Sequence, residues 1–366
     1  RVLFRSWQRH YIIRAEFKAV IADMQSFLED LRLWTDRLEL DLQSTPTHER
    51  PALEKEILDE ISIPTVAAID TYIERFEGIA CQLKGDVEAA HRVYLRRHLH
   101  PLLLASPFAH RTYTKPMGYA GDYEVVGMML RPPHEGRTLF GKLINIWLIG
   151  QAPAAAHRNR VKYLVSKLVD ETARVSSTGK RARVFNLGCG PADEVRQFYT
   201  SEAVSDRAEL TLLDFNEETI NQLRAKLTAI KSLHRPKAEF QLIKKSVQQV
   251  LKDSLRPARP GSGTYDLVYC AGLFDYLTDE VCKRLMDVFY DMLAPGGLLL
   301  ATNVSDVMNQ ERPFRHSMEY ILDWHLVYRN GAQLRKLAPA RAAAEDVKII
   351  SESIGVNVFI EVRKPR

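Results

Sequence analysis

Hydrophobic residues recur at a helical period through the first half of the chain. From residue 14 to about residue 174, apolar side chains return every three or four positions, which predicts amphipathic helices. A second helix is expected to begin near Pro64, and a third is expected to end at Pro101. The segments 138–150 and 153–175 predict further helices. This half is therefore predicted to be all-helical.

Near Lys180 the pattern changes to short β-branched or apolar runs that alternate with helical segments. The runs are ARVFNL, AELTLLD, AEFQLI, YDLVYC, GGLLLATNV, DVKIISES and NVFIEVRK. Strands that alternate with helices predict a parallel sheet covered on both faces. Only the few residues around Gly355 join the last two runs, so these strands must be antiparallel. We expect an α/β fold with a helical cap or substrate domain over residues 1–178 and a sheet domain over residues 179–366.

Composition narrows the class of protein. Hydrophobic residues make up 46% of the 366 residues and charged residues 27%, as in soluble globular proteins. The 51 basic and 46 acidic residues are too evenly mixed to indicate nucleic-acid binding. Four cysteines indicate a reducing compartment, and no run approaches the ~20 apolar residues of a membrane span. We expect a cytoplasmic protein without a signal peptide; whether residues precede Arg1 stays open.

A glycine-rich loop follows the first predicted strand. Asn186, Gly188, Cys189 and Gly190 precede a helix expected near Asp193, so a ligand could approach the backbone and the free N–H groups of the helix. Ligands of open α/β sheets bind at this end of the strands. A tight strand-to-helix turn is the purely structural alternative.

Other strand ends supply further candidate cofactor contacts. Asp214 ends the second strand about 20 residues after the loop, the position of a carboxylate that accepts ribose hydroxyls, while Asn216 can cap the next helix. An acid at Asp193 would repel a pyrophosphate, so S-adenosylmethionine is favoured over the alternative, a dehydrogenase cofactor. The candidate cofactor-binding residues are Tyr119, Asn186, Gly188, Cys189, Gly190, Asp214, Phe215, Ser246, Val247, Ala271 and Gly272.

Four motifs in order, FNLGCGPADEV, LLDFN, YDLVYCAGLFDYL and LAPGGLLLATNV, resemble class I S-adenosylmethionine-dependent methyltransferases. The resemblance covers Arg181 to about Arg363. It implies a Rossmann-like seven-stranded sheet with an antiparallel last strand and S-adenosyl-L-methionine as the cofactor. Asn186 departs from the pattern, since the superfamily often has an acid there; its side-chain carbonyl can still accept a hydrogen bond.

Two further segments carry candidate acceptor-site residues. HRTYTKPMGYAGDYEVVGMML concentrates hydroxyls, glycines and charge and predicts a lid segment; an ordinary helix connection is the alternative. RPFRHSMEYILDWHLVYR follows the fifth strand, where class I enzymes commonly build an acceptor pocket; an amphipathic surface helix is the alternative. The candidate catalytic residues are His316 and Tyr119. The candidate substrate-binding residues are Tyr113, Lys115, Asp122, Arg315, Tyr320 and Trp324.

Taken together, the segments KPMGYAGDY, NLGCGPADE, YCAGLFDYL and MEYILDWHLVYR resemble the bacterial extracellular-factor synthases. This resemblance implies methylation of the carboxylate of a 3-hydroxy fatty acid, such as 3-hydroxypalmitate, to a methyl ester quorum-sensing signal. Whether the acceptor is free or carrier-bound stays open, as do its chain length and the oligomeric state. The alternatives are methylation of another small molecule, RNA or protein, and a regulatory S-adenosylmethionine-binding module without turnover.

The helix with the sequence HRVYLRRHLH is predicted to be basic and solvated. Its histidines lie among arginines with no acid or cysteine close by, so no metal site is expected. An acidic partner such as an acyl carrier protein could dock on such a helix. No nucleic-acid partner is expected.

Overall fold

The computed structural model describes residues 13–233, 237, 239–255, 263–305 and 314–366. Within these residues the chain forms two compact units. The helical unit comprises residues 13–155 together with 314–325, and the sheet unit comprises the described residues from 156 to 305 and from 326 to 366. The domain boundary predicted between residues 178 and 179 stays a prediction.

The helices are numbered in chain order. They are α1 (Ala15–Ser44), α2 (Arg50–Ala80), α3 (Gly85–Leu103), α4 (Pro107–Thr114), α5 (Tyr123–Met128), α6 (Leu139–Gly150), α7 (Ala152–Ser176), α8 (Asp193–Ser201), α9 (Glu217–Leu233), α10 (Val247–Asp253), α11 (Asp279–Met292), α12 (Arg315–Ile321) and α13 (Gly331–Arg335). The strands are β1 (Ala182–Leu187), β2 (Ala208–Asp214), β3 (Glu239–Lys244), β4 (Tyr265–Cys270), β5 (Leu293–Val304), β6 (Val347–Ser351) and β7 (Asn357–Arg363). Short 3₁₀ turns lie at Ala203–Arg207, Phe274–Tyr276 and Ala344–Asp346.

The helical unit forms because each long helix buries its apolar stripe against the others. Helix α1 buries Phe17, Ile21 and Leu28 at the predicted spacing and packs on α2, α3 and α6. The expected helix boundaries at Pro64 and Pro101 are wrong, because both prolines lie inside helices. Each proline removes one backbone hydrogen bond, but buried apolar residues on either side hold the helix together, so packing overrides propensity.

The basic helix α3 is only partly solvated. His91 is fully buried, and its Nε2 accepts a hydrogen bond from the Arg14 N–H at 3.0 Å. His100 is also buried and bonds the Ile321 carbonyl oxygen through Nε2 at 3.0 Å. The expectation of a solvated helix is wrong for these two side chains, since both complete the packing of the helical unit.

The sheet has the order β3-β2-β1-β4-β5-β7-β6. Strands β1 to β5 pair in parallel, whereas β7 pairs antiparallel with both β5 and β6. The turn around Gly355 joins β6 to β7, which confirms the predicted antiparallel pair. The seven-stranded sheet with an antiparallel last strand is therefore confirmed, and β1, β2 and β4 have the predicted bounds.

Apolar side chains cover both faces of the sheet. Leu285 and Phe289 of α11 belong to one buried cluster, and Leu168 of α7, Phe198 of α8 and Leu223 of α9 belong to the other. Burial on both faces leaves the carboxyl ends of the strands as the place where loops can meet a ligand. Because β1 lies between β2 and β4, the strand order reverses at its end, and open α/β sheets bind ligands at such a point.

Candidate functional site

Backbone hydrogen bonds to β2 hold the loop after β1 in place. The N–H groups of Gly188 and Cys189 both donate to the Leu213 carbonyl oxygen, at 2.8 and 2.9 Å. Gly188 and Gly190 have φ of 72° and 51°, the left-handed region that glycine adopts without strain. A Cβ added at Gly190 would meet no atom within 4 Å. The loop therefore presents its backbone to empty space, as a ligand cradle requires.

Asp214, at the end of β2, accepts a hydrogen bond from this loop. Its Oδ2 accepts from the Gly190 N–H at 3.0 Å and its Oδ1 from the Asn216 N–H at 2.9 Å. Burial raises the pKa of this carboxyl, and the backbone N–H donors oppose that rise. Asn216 accepts the Thr219 N–H at 3.0 Å and so caps α9, which confirms that Asp214 is not needed as the cap.

A buried acid lies behind the loop. Asn186 Nδ2 and the Tyr269 hydroxyl both donate to Glu194 Oε1, at 3.3 and 2.8 Å. Burial raises the pKa of Glu194 to about 7. The other polar side-chain atom of Asn186, Oδ1, is buried and has no hydrogen-bond partner among the residues that the structure describes. Sequence reasoning missed Glu194 and Tyr269; the signal was that Glu194 precedes buried Phe198 by one helical turn and so belongs to the apolar face of α8.

The third and fourth strand ends carry the remaining cofactor candidates of the sheet unit. Ser246 caps α10 by accepting the Gln249 N–H at 3.3 Å, and Val247 is the first residue of that helix. The Gly272 N–H donates to Thr302 Oγ1 at 2.9 Å beyond β4. Ala271 neighbours it, and Phe215 follows Asp214 with 52% of its surface exposed. The structure thus places these candidates at the carboxyl ends of β2, β3 and β4.

The cysteines near the strand ends are free thiols. Cys189 and Cys270 are buried, and burial raises the pKa of both thiols, so they stay protonated at neutral pH. Such thiols act as small packing residues rather than as nucleophiles. Among the residues that the structure describes, no group of three or more His, Cys, Asp or Glu side chains is placed to hold a metal ion.

A cation from α7 also lies at the end of β4. A Cβ added at Gly272 would come within 2.9 Å of Arg160 Nη1. Arg160 Nη2 lies 2.9 Å from His157 Nδ1, and burial, followed by the charges of Arg160 and Arg158, keeps the pKa of His157 well below its usual value. His157 is therefore a neutral acceptor for the Arg160 guanidinium. Sequence reasoning missed Arg160 because a basic helix segment usually faces solvent.

The helical unit holds His316 in a fixed orientation. Glu77 Oε2 accepts from the His316 N–H at 3.1 Å and lies 2.9 Å from His316 Nδ1. Glu77 Oε1 accepts from the Ser317 N–H and hydroxyl, both at 2.6 Å. Because a carboxylate accepts, Nδ1 carries a proton. Sequence reasoning missed Glu77, which is 2% exposed; the signal was its place on the apolar face of α2, one turn after Ile73.

The other candidate acceptor residues of the helical unit have structural partners. Asp122 is fully buried, accepts the Val125 N–H at 2.9 Å as the cap of α5, and pairs with Arg111. The Lys115 ammonium pairs with Asp323, which also binds Arg96 at 2.7 Å.

The aromatic candidates and Arg315 have different surroundings. The Tyr113 ring lies 5.3 Å below the Arg96 guanidinium, and Arg315 bonds Glu319 at 3.0 Å. Tyr320 is fully buried, and its hydroxyl has no hydrogen-bond partner. Tyr119 is half-buried in the loop between α4 and α5, and Trp324 is 7% exposed. Their roles in binding or catalysis stay predictions.

An apolar pocket lies within the helical unit. It encloses about 510 Å³ of empty space, part of it open to solvent. Its lining comes from α2, α4, α6 and α12 and includes Ile73, Phe108, Trp147, Met318, Ile321 and Trp324. Trp324 is the one predicted acceptor residue that lines it. Ser317 and Gln151 are its polar lining residues, so the pocket suits a ligand that is mostly hydrocarbon.

Residues 185–299 match a family described as a methyltransferase domain. A comparison with curated proteins returns no match. A crystal structure of a possible exported protein from Bordetella parapertussis is 15% identical, covers 83% of this chain and 97% of its own, and gives a TM-score of 0.51. Magnesium protoporphyrin IX methyltransferase from Synechocystis PCC 6803, with bound SAH, is 13% identical over 58% of this chain and 84% of its own, with a TM-score of 0.40.

No helix of the described ranges is long and apolar enough to cross a membrane.

Proposed function

We propose that the protein transfers a methyl group from S-adenosyl-L-methionine to the carboxylate of a long-chain fatty acyl acceptor and so forms a methyl ester. The premise is that the chain carries a class I methyltransferase domain, which the family match over residues 185–299 and the seven-stranded sheet support. S-adenosyl-L-methionine is the cofactor of this domain. The observation that supports a fatty acyl acceptor is the apolar pocket of the helical unit.

The residues at the strand ends fit this cofactor. Gly190 leaves open space where a side chain would stand, and the lone pairs of Asp214 that remain beside its backbone donors can accept ribose hydroxyls. Asn186 Oδ1 is a buried acceptor without a donor, which the ammonium group of a methionine moiety would supply. The sulfonium of the bound cofactor supplies an already activated methyl group.

An ionised acceptor removes the need for a general base. A fatty carboxylate, with a pKa near ~4–5 by analogy with Asp and Glu, arrives charged at neutral pH. The protein must then orient one carboxylate oxygen and exclude water. His316, fixed through Nδ1 by Glu77, is the proposed orienting group. Arg315 and Lys115 remain further candidates, and a 3-hydroxy group on the acceptor, with a role as a bacterial quorum-sensing signal, rests on the family resemblance alone.

The apolar pocket is the proposed site of the acyl tail. Burial of each CH₂ group contributes about 0.8 kcal/mol, so a longer tail should bind more tightly until the pocket is full. Replacement of buried Ile73 by Trp should fill the pocket and lower turnover of 3-hydroxypalmitate more than that of 3-hydroxyoctanoate. The matched control is Ile63→Trp on the same helix, since Ile63 is 76% exposed. S-adenosylhomocysteine affinity and melting temperature, measured for both variants, show whether either one has lost its fold.

The acceptor class is tested by competition. Purified protein is given S-adenosylmethionine with a labelled methyl group and one of four acceptors: free 3-hydroxy fatty acids, their acyl carrier protein thioesters, RNA or a protein mixture. Ether-extractable methyl esters are identified by mass spectrometry. We expect label in methyl esters. Faster transfer to RNA or protein, or cofactor binding without transfer to any acceptor, would overturn the proposal.

The effect of a His316 substitution on kcat and KM distinguishes methyl ester formation from methyl transfer to a hydroxyl or amine. If His316 only orients the carboxylate, His316→Ala should mainly raise KM while kcat stays within about tenfold. A fall in kcat of about 10²–10⁴-fold with unchanged KM would instead mark a general base. The acceptor would then be a hydroxyl or amine, and the ester assignment would be wrong.

A further inference from the structure

In the described part of the chain, the acid behind the glycine loop has only neutral side chains as direct hydrogen-bond donors. Both donors to Glu194 Oε1, the Asn186 amide and the Tyr269 hydroxyl, are neutral. Glu194 is 7% exposed, and a nearby positive group would stabilise the charged form of this buried carboxyl further. Asn186 Oδ1, on the same side chain that touches Glu194, is a buried acceptor without a donor. Among the residues that the structure describes, a carboxyl bonded by neutral donors and an amide oxygen without a donor therefore lie together at the end of β1.

A positive group lies at the end of β4, the strand that pairs with β1 in the sheet. Arg160 reaches the Gly272 backbone beyond β4, and its charge lowers the pKa of Glu194 in part. The guanidinium is held by neutral His157 at 2.9 Å. An acid at the end of β1 and a fixed cation at the end of β4 form a pair of opposite charges that matches a zwitterionic amino acid.

We infer that Glu194 and Arg160 bind the two charged groups of the methionine moiety of the cofactor, Glu194 its ammonium group and Arg160 its carboxylate. The inference rests on S-adenosyl-L-methionine as the cofactor. Asn186 Oδ1 accepts a second N–H of the ammonium group. Glu194, eight residues further along the chain, thereby supplies the charge that an acid at position 186 would otherwise provide.

Cofactor binding then releases a proton from Glu194. The free carboxyl has a pKa raised by burial to about 7, and the bound ammonium lowers that pKa, so the proton leaves to solvent as the complex forms. Two other titratable groups that face Glu194 stay uncharged between pH 6 and 8. Burial raises the pKa of the Tyr269 hydroxyl and of the Cys189 thiol, which both stay neutral. Asp193, which precedes Glu194, is paired with Arg196.

The decisive comparison uses two ligands that differ only at the amino-acid end. S-adenosylhomocysteine carries the methionine-derived zwitterion, whereas 5′-methylthioadenosine lacks it. Glu194→Gln and Arg160→Met should each weaken S-adenosylhomocysteine binding at pH 8 by about 10–100-fold and leave methylthioadenosine affinity unchanged. Asp214→Ala should weaken both ligands, because both carry the ribose. Arg158→Met, two residues from Arg160 on the same helix, is the matched control and should weaken neither.

Calorimetry at several pH values tests the coupled proton. For the unaltered protein the S-adenosylhomocysteine Kd should be flat above pH 7 and should rise toward about tenfold per unit as the pH falls below 7. Glu194→Gln should abolish this slope, and the double variant Asn186→Asp, Glu194→Gln should regain part of the affinity at pH 8. A slope that persists in Glu194→Gln, or equal losses for both ligands, would overturn the inference. Failure of the unaltered protein to bind S-adenosylhomocysteine would instead overturn the proposed function.

Discussion

Glu77→Gln tests how strongly a buried carboxylate holds helix α12 in the helical unit. Glu77 is 2% exposed and accepts from the backbone N–H groups of His316 and Ser317, from the His316 ring and from the Ser317 hydroxyl. The backbone donors belong to the first turn of α12, where no intrahelical acceptor is available. The variant keeps the size of the side chain and removes its charge and one acceptor oxygen.

The magnitude follows from counting donors. The single Gln oxygen can serve either the His316 pair or the Ser317 pair, and its NH₂ group faces the other pair. If the NH₂ group faces Ser317, the hydroxyl can rotate to accept from it, but the Ser317 N–H stays unsatisfied, at a cost of about 1–3 kcal/mol. The remaining hydrogen bonds lose their charge assistance, which is worth about 1 kcal/mol more. We expect the free energy of unfolding to fall by about 2–4 kcal/mol.

Urea denaturation, followed by tryptophan fluorescence, measures this change, since Trp147 and Trp324 are buried in the helical unit. The matched control is Glu74→Gln, because Glu74 is exposed on the same helix and its variant should change the free energy by less than about 0.5 kcal/mol. Equal stabilities for the two variants would refute the reasoning. Glu77 would then be an ordinary buried acceptor whose donors find other partners.

The remaining predictions concern the sheet unit. Asp214→Ala should weaken S-adenosylhomocysteine binding in calorimetry by about 1–3 kcal/mol through lost charge-assisted hydrogen bonds. Gly190→Val should abolish this binding, because the valine side chain would enter the open space at a left-handed φ. Tighter binding of NAD than of S-adenosylhomocysteine would contradict both predictions. Burial alone would raise the pKa of Glu171, but Arg363 and Arg174 hold it below its usual value. This contribution to stability is present above pH ~4.3 and lost as the pH falls through the folded-state pKa, so urea titrations between pH 5 and 3 should show a smaller loss for Glu171→Gln than for the unaltered protein.

The sheet could be predicted from the sequence because its signals are local. Runs such as ARVFNL and YDLVYC are mostly apolar, as in strands that are buried on both faces, and their ends coincide with the bounds of β1 and β4. The predicted helix boundaries at Pro64 and Pro101 were wrong because the signal there is not local. There the outcome depends on packing against other helices, which the local pattern does not contain.

Three of the missed site residues, Glu77, Glu194 and Tyr269, are polar side chains that are buried and have partners elsewhere in the sequence. Glu77 meets His316 across 239 residues, and Tyr269 meets Glu194 across 75. Composition and spacing favour a solvated surface for such residues. The glycine loop and Asp214 could be found because their spacing along the chain is itself the signal.

The position of β7 has a consequence for synthesis of the chain. This strand lies between β5 and β6, although it follows both along the sequence. Until Asn357 and the residues after it have left the ribosome, β5 has no partner on that side, and its long apolar run presents unpaired N–H and C=O groups. A nascent or truncated chain that stops before β7 therefore exposes a template for strand addition by another chain.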